Sequence, residues 1–388
     1  MLYQREITSE ILRLAGGYPI VTILGPRQSG KTTLAKMIFP NKPYVNLEAP
    51  HIRNLAISDP LGFLAQYQDG AVLDEIQNVP QLLSYLQVDV DENKTLGKYI
   101  LTGSHQFELH KAVSQSLAGR TALLKLLPFT INELSGGNTN LTLGEYLFKG
   151  FFPQVYTSNL DPSTIYLNYY HTYVERDIRQ LINIKDLHLF QKFVTLLAGR
   201  IGQVLNKDSL SKELGINAST VAQWIAVMEA SFIIFLLPPY FENFGKRLIK
   251  SPKLYFTDVG LASYLLGIEN MVQLARDPIR GFLVENLVIL ELMKTRINKG
   301  LDPHLYYYRD NHQNEVDVIY KSASQLIPIE IKSAQTYNHE FFKGLSYFKK
   351  IAGERVSSQY LVYAGDQEQR VGEIQLLNFK NTKNIIDG

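Results

Sequence analysis

The 388 residues carry 39 Lys and Arg against 37 Asp and Glu, a net charge of only +2, so any nucleic-acid surface has to come from local clustering of charge. With 45% hydrophobic and 20% charged residues the chain can fill real cores, which excludes disorder and collagen-like repeats, and its length predicts roughly two or three domains. The lack of cysteine excludes disulfides, cysteine-ligated zinc, iron–sulfur clusters and thiol catalysis, and favours a cytoplasmic location.

The opening MLYQREITSEILRLAGG places charges among its first ten residues and has no long apolar stretch, so no secretion signal is expected. Residues 1–135 alternate strand-like runs with amphipathic stretches: IVTILG, KTTLAKMIF, KPYVNLE, AVLDE, QLLSYLQ, KYILTGS and TALLKLL. That alternation predicts a parallel α/β sheet. Ser135-Gly136-Gly137-Asn138 reads as a linker. Residues 136–200 read as a helical connector, with helical spacing over Ile165 to Leu181 and Leu187 to Leu197. Between Asp208 and Met228 two helical patterns flank Gly215, a helix-turn-helix arrangement, and FIIFLL and KLYFTD then bracket the basic segment FGKRLIKSPK. Residues 201–268 are therefore expected to be a winged helix. The apolar run Phe232 to Leu237 stops at Pro238, far short of the roughly 20 residues of a membrane span, so no anchor is expected. Residues 269–388 read as a mixed α/β domain: helix Gly281 to Lys294, strand His304 to Tyr308, hairpin Val316 to Lys332, a helix, then strand Tyr360 to Tyr363.

Gly25-Pro26-Arg27-Gln28-Ser29-Gly30-Lys31-Thr32 matches the phosphate-loop pattern GxxxxGK[ST] between a strand and a helix, and Thr33 follows it. The glycines let the loop amides face the phosphates, Lys31 neutralises charge on the β/γ groups, and the Thr32 hydroxyl ligates magnesium. Asp74 and Glu75 close the apolar run Ala71-Val72-Leu73, at a strand's carboxyl end, where ligands gather in open α/β sheets. Asp74 is expected to hold Mg2+ and Glu75 to act as general base toward water. Ser104, ending Tyr99 to Leu101 and Thr102-Gly103, is a candidate sensor of the γ-phosphate, with an ordinary turn as the alternative. Neither Asn93-Lys94-Thr95-Leu96 nor Asn206-Lys207-Asp208-Ser209 completes the guanine-reading Asn-Lys-x-Asp pattern, so ATP is the expected nucleotide. Arg120, and after it Arg27, are the candidates for an arginine acting on the nucleotide in cis or from a neighbouring subunit.

A second constellation lies near the C-terminus. Glu285 sits in the helical pattern GFLVENLVILELMK beside Phe282, Val288 and Ile289, a carboxylate on an apolar stripe. Asp317 follows in EVDVIY, and Glu330 and Lys332 share one face of IPIEIKS. Asp317 and Glu330 could hold magnesium, with Lys332 positioning water or steadying a phosphate, as in a metal-dependent phosphodiesterase. A buried salt bridge from Lys332 to Glu330 or Asp317 is the competing reading.

The second helix of the pair presents Ser219, Thr220, Gln223 and Trp224 and no cation, whereas Lys246, Arg247, Lys250 and Lys253 cluster on the expected wing. Such a cluster contacts a nucleic-acid backbone without reading sequence, while inter-domain packing is an equal alternative for the motif. Tyr306-Tyr307-Tyr308 reads as a strand packed on a core.

GPRQSGKTT, AVLDEIQNVP, ILTGS, SLAGR with LLPFTINEL, TYVERDI, LIKSPKLYFTDVGL, FLVEN, and EVDVIY with IPIEIKSA together resemble prokaryotic AAA-type ATPases close to the archaeal ATPase group. In that group a winged helix precedes a PD-(D/E)xK, restriction-endonuclease-like domain. The resemblance implies the fold class α/β: a P-loop ATPase domain with a parallel sheet, a helical connector with a winged helix, and a C-terminal mixed α/β nuclease-like domain. It also implies ATP binding through Gly25 to Thr33, hydrolysis through Asp74 and Glu75, and a nuclease-like centre at Glu285, Asp317, Glu330 and Lys332. Glu315-Val316 stands before Asp317 in place of the proline-aspartate pair, and His105 stands where relatives often carry a small hydroxyl residue. The expected function is ATP-dependent control of a module that handles nucleic acid, DNA before RNA, with or without cleavage. The alternative is an ATP-switched scaffold whose nuclease-like domain is inactive and binds nucleic acid or a protein partner; the oligomeric state is left open, a homo-oligomer included.

Overall fold

The computed structural model describes residues 3–104, 116–179, 186–241 and 249–388. The N-terminal sheet consists of β1 (Ile20–Leu24), β2 (Tyr44–Asn46), β3 (Ala71–Asp74), β4 (Tyr99–Gly103) and β5 (Thr121–Lys125), in the order β2-β3-β4-β1-β5. All are parallel: Ile20 faces Tyr99 on one side and Thr121 on the other, and Leu73 faces both Val45 and Leu101. Every residue of β1 is buried, which is why IVTIL is an unbroken apolar run rather than an alternating one. Val21 and Ile23 pack with Ile11 and Leu34 of the helices Thr8–Ala15 and Lys31–Ile38, while Ile20 and Leu24 join the larger core on the opposite face. Because the strands run the same way, the residues that follow β1, β3 and β4 share one edge of the sheet.

Helices Ile131–Gly136 and Leu143–Lys149 each begin with a capping box, Thr130 with Glu133 and Thr142 with Glu145. The expected linker is thus half helix, Ser135 and Gly136 lying inside the first of these. Helix Pro162–Tyr169 continues as a π-helical stretch over Tyr170–Ile178, and Leu187–Ala198 follows. Helices Lys207–Leu214 and Ala218–Ala230 meet at Gly215, whose φ of +71° is the left-handed conformation that ends a helix. The antiparallel pair β6 (Ile234–Leu237) and β7 (Lys253–Phe256) comes next. Trp224 is buried against Phe193, ring centroids 5.1 Å apart, so it belongs to the core and is not presented to a ligand.

The C-terminal sheet holds β8 (Leu305–Arg309), β9 (Glu315–Ser322), β10 (Gln325–Lys332), β11 (Gln359–Tyr363), β12 (Arg370–Val371) and β13 (Ile374–Asn378), in the order β12-β13-β11-β10-β9-β8. Helix Lys343–Ala352 covers one face through Leu345 and Phe348, with Tyr308 and Ile319 beneath them, and the tyrosine run is indeed core strand. Helix Arg280–Ile297 is buried along almost its whole length, including Glu285, Asn286, Glu291 and Lys294. The open side of β8 is covered by the chain leaving β6 and entering β7: Tyr307 donates to Pro238 O at 3.0 Å, Tyr240 N–H reaches Tyr307 O at 2.7 Å, and Ile249 N–H reaches Arg309 O at 3.3 Å. An edge that would otherwise offer free amides and carbonyls is thereby closed.

Candidate functional site

The phosphate loop occupies the turn from β1 into helix Lys31–Ile38. A side chain at Gly25 would put its Cβ 2.1 Å from the Leu126 carbonyl oxygen, and Gly30 has φ +91°, so both positions require glycine. Lys31 is buried, its Nζ donating to the carbonyls of Gly25 at 3.0 Å and Pro26 at 2.8 Å. Burial pulls its pKa down to about 8 against the opposing pull of Glu75 and Asp74. The Ser29 hydroxyl is buried in the loop without a hydrogen-bond partner among the described residues. Gln28 and Thr33 face outward, and the Arg27 guanidinium lies over the Tyr173 ring at 5.4 Å and 3.9 Å from Glu48.

Asp74 is the hub of the edge. It accepts from Thr32 Oγ1 at 2.9 and 3.1 Å, from the Tyr44 hydroxyl at 2.6 Å and from Thr102 Oγ1. Burial and the bond to Asp74 push the Tyr44 phenol well above its usual range. Glu75 adopts a left-handed backbone, φ +56°, which turns its carboxylate to the Ser104 hydroxyl at 3.0 Å and to the Gln77 amide. Because β4 runs between β1 and β3, Thr102 and Ser104 are within reach of both acids. A hydroxyl and a carboxylate touching at Thr32 and Asp74 are the hard oxygen donors that magnesium takes. Tyr44, Thr102 and Gln77 escaped the sequence reading. Thr102 had a signal as a polar residue ending a buried strand, whereas Gln77 and Tyr44 had none.

Beside the loop lies a cavity of about 330 Å³ lined by Tyr3, Arg5, Gly30, Thr33, Phe129 and Pro153. Arg5 is fixed by Glu133 at 3.0 Å, the Ser29 carbonyl at 2.9 Å and the Leu127 carbonyl at 2.6 Å, with its guanidinium 4.9 Å from the Phe129 ring centre. The rings of Tyr3 and Phe129 in this lining give the cavity an aromatic wall, which can take the base of a bound nucleotide.

Arg120 is placed elsewhere. It immediately precedes β5, so in a parallel sheet it lies at the edge opposite the loop, where it makes a bidentate pair with Asp91 at 2.6 and 2.7 Å. It therefore cannot meet the nucleotide of its own chain.

The C-terminal residues converge. Lys332 Nζ is 2.5 Å from Glu330 and 3.9 Å from Asp317, and Asp317 accepts the Ile331 amide at 2.8 Å. Glu285 projects from its helix into the same cluster but is taken by Lys253 at 2.9 Å and the Tyr255 hydroxyl at 2.5 Å. Lys253 also meets Glu315 at 2.5 Å, and Arg309 lies 3.4 Å from Glu315. Burial, together with Asp317, pushes Glu285 up to about 7 and Glu330 up to about 8. Burial opposes protonation of Lys253, yet Glu285, Asp317 and Glu315 hold its ammonium well above the usual range.

Lys253 therefore leaves the surface cluster in which the sequence placed it. It is the first residue of β7, and its side chain points inward. Lys250 is exposed; Lys246, Arg247 and His105 lie outside the described residues. The magnesium expected at Asp317 and Glu330 does not fit either. Among the described residues no group of three or more His, Asp or Glu is arranged to hold a metal, and Glu330 and Glu285 are each engaged by a lysine.

Residues 17–135 match a family described as an AAA domain, and with the intact loop over a parallel sheet they are an AAA-type P-loop domain. Residues 140–272 and 280–381 match two domains of unknown function, DUF8612 and DUF4143. An uncharacterized protein of Mycobacterium tuberculosis is 28% identical over 340 residues, covering 87% of this chain and 75% of the relative. Another, of Methanocaldococcus jannaschii, is 22% identical, with 93% and 84% covered. The Walker-type ATPase PABY2304 of Pyrococcus abyssi is similar over 68% of this chain and 96% of its own, at 17% identity and a TM-score of 0.45. No helix among the described residues is long and apolar enough to cross a membrane.

Proposed function

We propose that this chain is an ATP-hydrolysing switch whose N-terminal site controls a C-terminal module that binds a partner, nucleic acid or protein, without cutting it. The observation that carries the ATP half is the joined constellation Thr32–Asp74 and Glu75–Ser104 beneath the loop. Loop amides, Lys31 and the helix N-terminus bind the triphosphate, and the aromatic cavity takes the base. Thr32 and Asp74 would hold magnesium, which screens charge on the β/γ phosphates. Glu75 accepts a proton from the attacking water, and Ser104, hydrogen-bonded to that carboxylate, registers the γ-phosphate.

Helix Arg280–Ile297 supports the link between the two ends. Lys294 Nζ donates to Phe129 O at 2.6 Å and Glu291 accepts the Ile131 amide at 2.8 Å, next to the nucleotide cavity. Two to three turns earlier Glu285 holds Lys253, and Asn286 clasps both backbone groups of Phe256 at 2.8 Å. A shift of Phe129 on nucleotide binding is thus delivered to β7 by a rigid rod.

Turnover of ATP by wild type, Lys31→Ala and Glu75→Gln tests this reading. Glu75→Gln should bind ATP normally and hydrolyse it about 100-fold or more slowly; unchanged hydrolysis removes Glu75 as base. Metal-dependent cutting of DNA or RNA by wild type, abolished in Asp317→Ala, would replace the binding module with a nuclease.

A further inference from the structure

The carboxylates of the C-terminal cluster come from the long helix, which gives Glu285, and from the two strands of one hairpin: Glu315 and Asp317 from β9 and Glu330 from β10. The cation at their centre comes from a further segment, β7. The Lys253 side chain is 3% exposed and touches two of the acids, at 2.9 and 2.5 Å, with the Tyr307 ring 5.5 Å away. Its backbone leaves it little freedom to withdraw. Lys253 pairs with Leu237 in the ladder and bridges to Val204, while Phe256, three residues on, is gripped by Asn286.

We infer that Lys253 is the resident counter-cation of this cluster, and that the cluster is a metal-free joint between β7 and the C-terminal sheet in which the ammonium excludes a divalent cation. The charges support it. Lys253 already pairs with Glu285 and Glu315, Arg309 with Glu315, and Lys332 with Glu330 and Asp317, so an entering dication would bring its charge beside cations that these acids already hold. The Glu330-x-Lys332 pattern that resembles a nuclease centre pairs within its own hairpin, and it is Lys253 that ties β7 to Glu285 and Glu315. This goes beyond the ATP reading and is independent of it, since its test contains no nucleotide.

The test counts Mn2+ bound to the full chain by the electron-paramagnetic-resonance signal of the free ion, in a Thr32→Ala background that silences the P-loop metal position. The parent should bind no Mn2+ up to about 1 mM, the weak end of protein–cation affinities. Adding Lys253→Gln should create one site, removed in turn by Asp317→Asn, while Lys253→Arg should create none. A site in the parent that Asp317→Asn abolishes would overturn the inference, as would a folded Lys253→Gln that gains nothing. Should Lys253→Gln not fold, the parent and Lys253→Arg decide the matter: silence in both upholds the inference and an Asp317-dependent site in either overturns it.

Discussion

Lys294→Met is the sharpest probe of the rod between the two ends. The Lys294 side chain is 1% exposed; its Nζ donates to Phe129 O at 2.6 Å and lies 3.2 Å from Glu291 and 4.1 Å from the Phe151 ring centre. Methionine keeps the apolar stem and removes the ammonium. Among the described residues Glu291 is then left as a buried carboxylate held by the Ile131 amide, and burial already pushes its pKa up. Breaking a buried pair from one side costs about 3–5 kcal/mol. Glu291→Gln retains an acceptor for Ile131, so the double variant should lose little more than the bond to Phe129, about 1–3 kcal/mol. Each single variant should therefore be less stable than the double by about 2 kcal/mol, so the losses are far from additive. Urea unfolding, read from circular dichroism and from the fluorescence of Trp224, the sole tryptophan, measures all four corners of the cycle. Because Phe129 walls the nucleotide cavity, affinity for a fluorescent ATP analogue should weaken several-fold in Lys294→Met and in the double variant but not in Glu291→Gln. Additive losses with unchanged affinity would refute the argument.

The lowered pKa of Lys31 makes nucleotide binding a protonation event. With its pKa lowered to about 8, free Lys31 is half deprotonated near that pH, and a bound triphosphate favours the charged form, so affinity should fall as pH rises through 8 and binding at pH 8.5 should take up protons. Calorimetry in two buffers of different ionisation enthalpy detects that uptake, and equal heats would contradict it. Arg120 faces away from its own loop, so it can serve hydrolysis only across a subunit boundary. In that case specific ATPase activity should rise with protein concentration in wild type and stay flat in Arg120→Ala, at unchanged ATP affinity; identical profiles leave Arg120 a surface residue paired with Asp91.

The N-terminal half was legible because its information is local. Gly25 to Thr33 is one contiguous turn, and Asp74 and Glu75 end a strand whose burial is written in Ala71-Val72-Leu73. Parallel order then brings those ends together without further instruction. Arg120 was left open between its own site and a neighbour's, although the same logic narrows it: a residue before a parallel strand lies at the edge opposite the ligand. Lys253 was a different problem. In sequence it belongs to a basic run, FGKRLIKSPK, and only the fold reveals that it opens β7 and points at Glu285, 32 residues later. Glu285 itself was singled out for sitting on an apolar stripe, correctly as to burial, but its partner arrives from another segment. Glu330 and Lys332 do converge with Asp317, as strand periodicity required, yet periodicity says nothing of a second lysine. The role of Asn286, which satisfies a peptide group of β7, has no signature in composition or spacing.

A helix buried along almost its whole length has to be made before anything around it can be finished. Arg280–Ile297 emerges from the ribosome after the P-loop domain, the helical pair and β7, all of which hold surfaces shaped for it: the Phe129 carbonyl, the Phe256 peptide and the Lys253 ammonium. Until it arrives these groups are wet and unpaired, and the earlier three-quarters of the chain waits half-assembled. One late segment thus knits the early ones together before the C-terminal sheet is made, so a chain halted just short of residue 280 should be a client for chaperones rather than a smaller working ATPase.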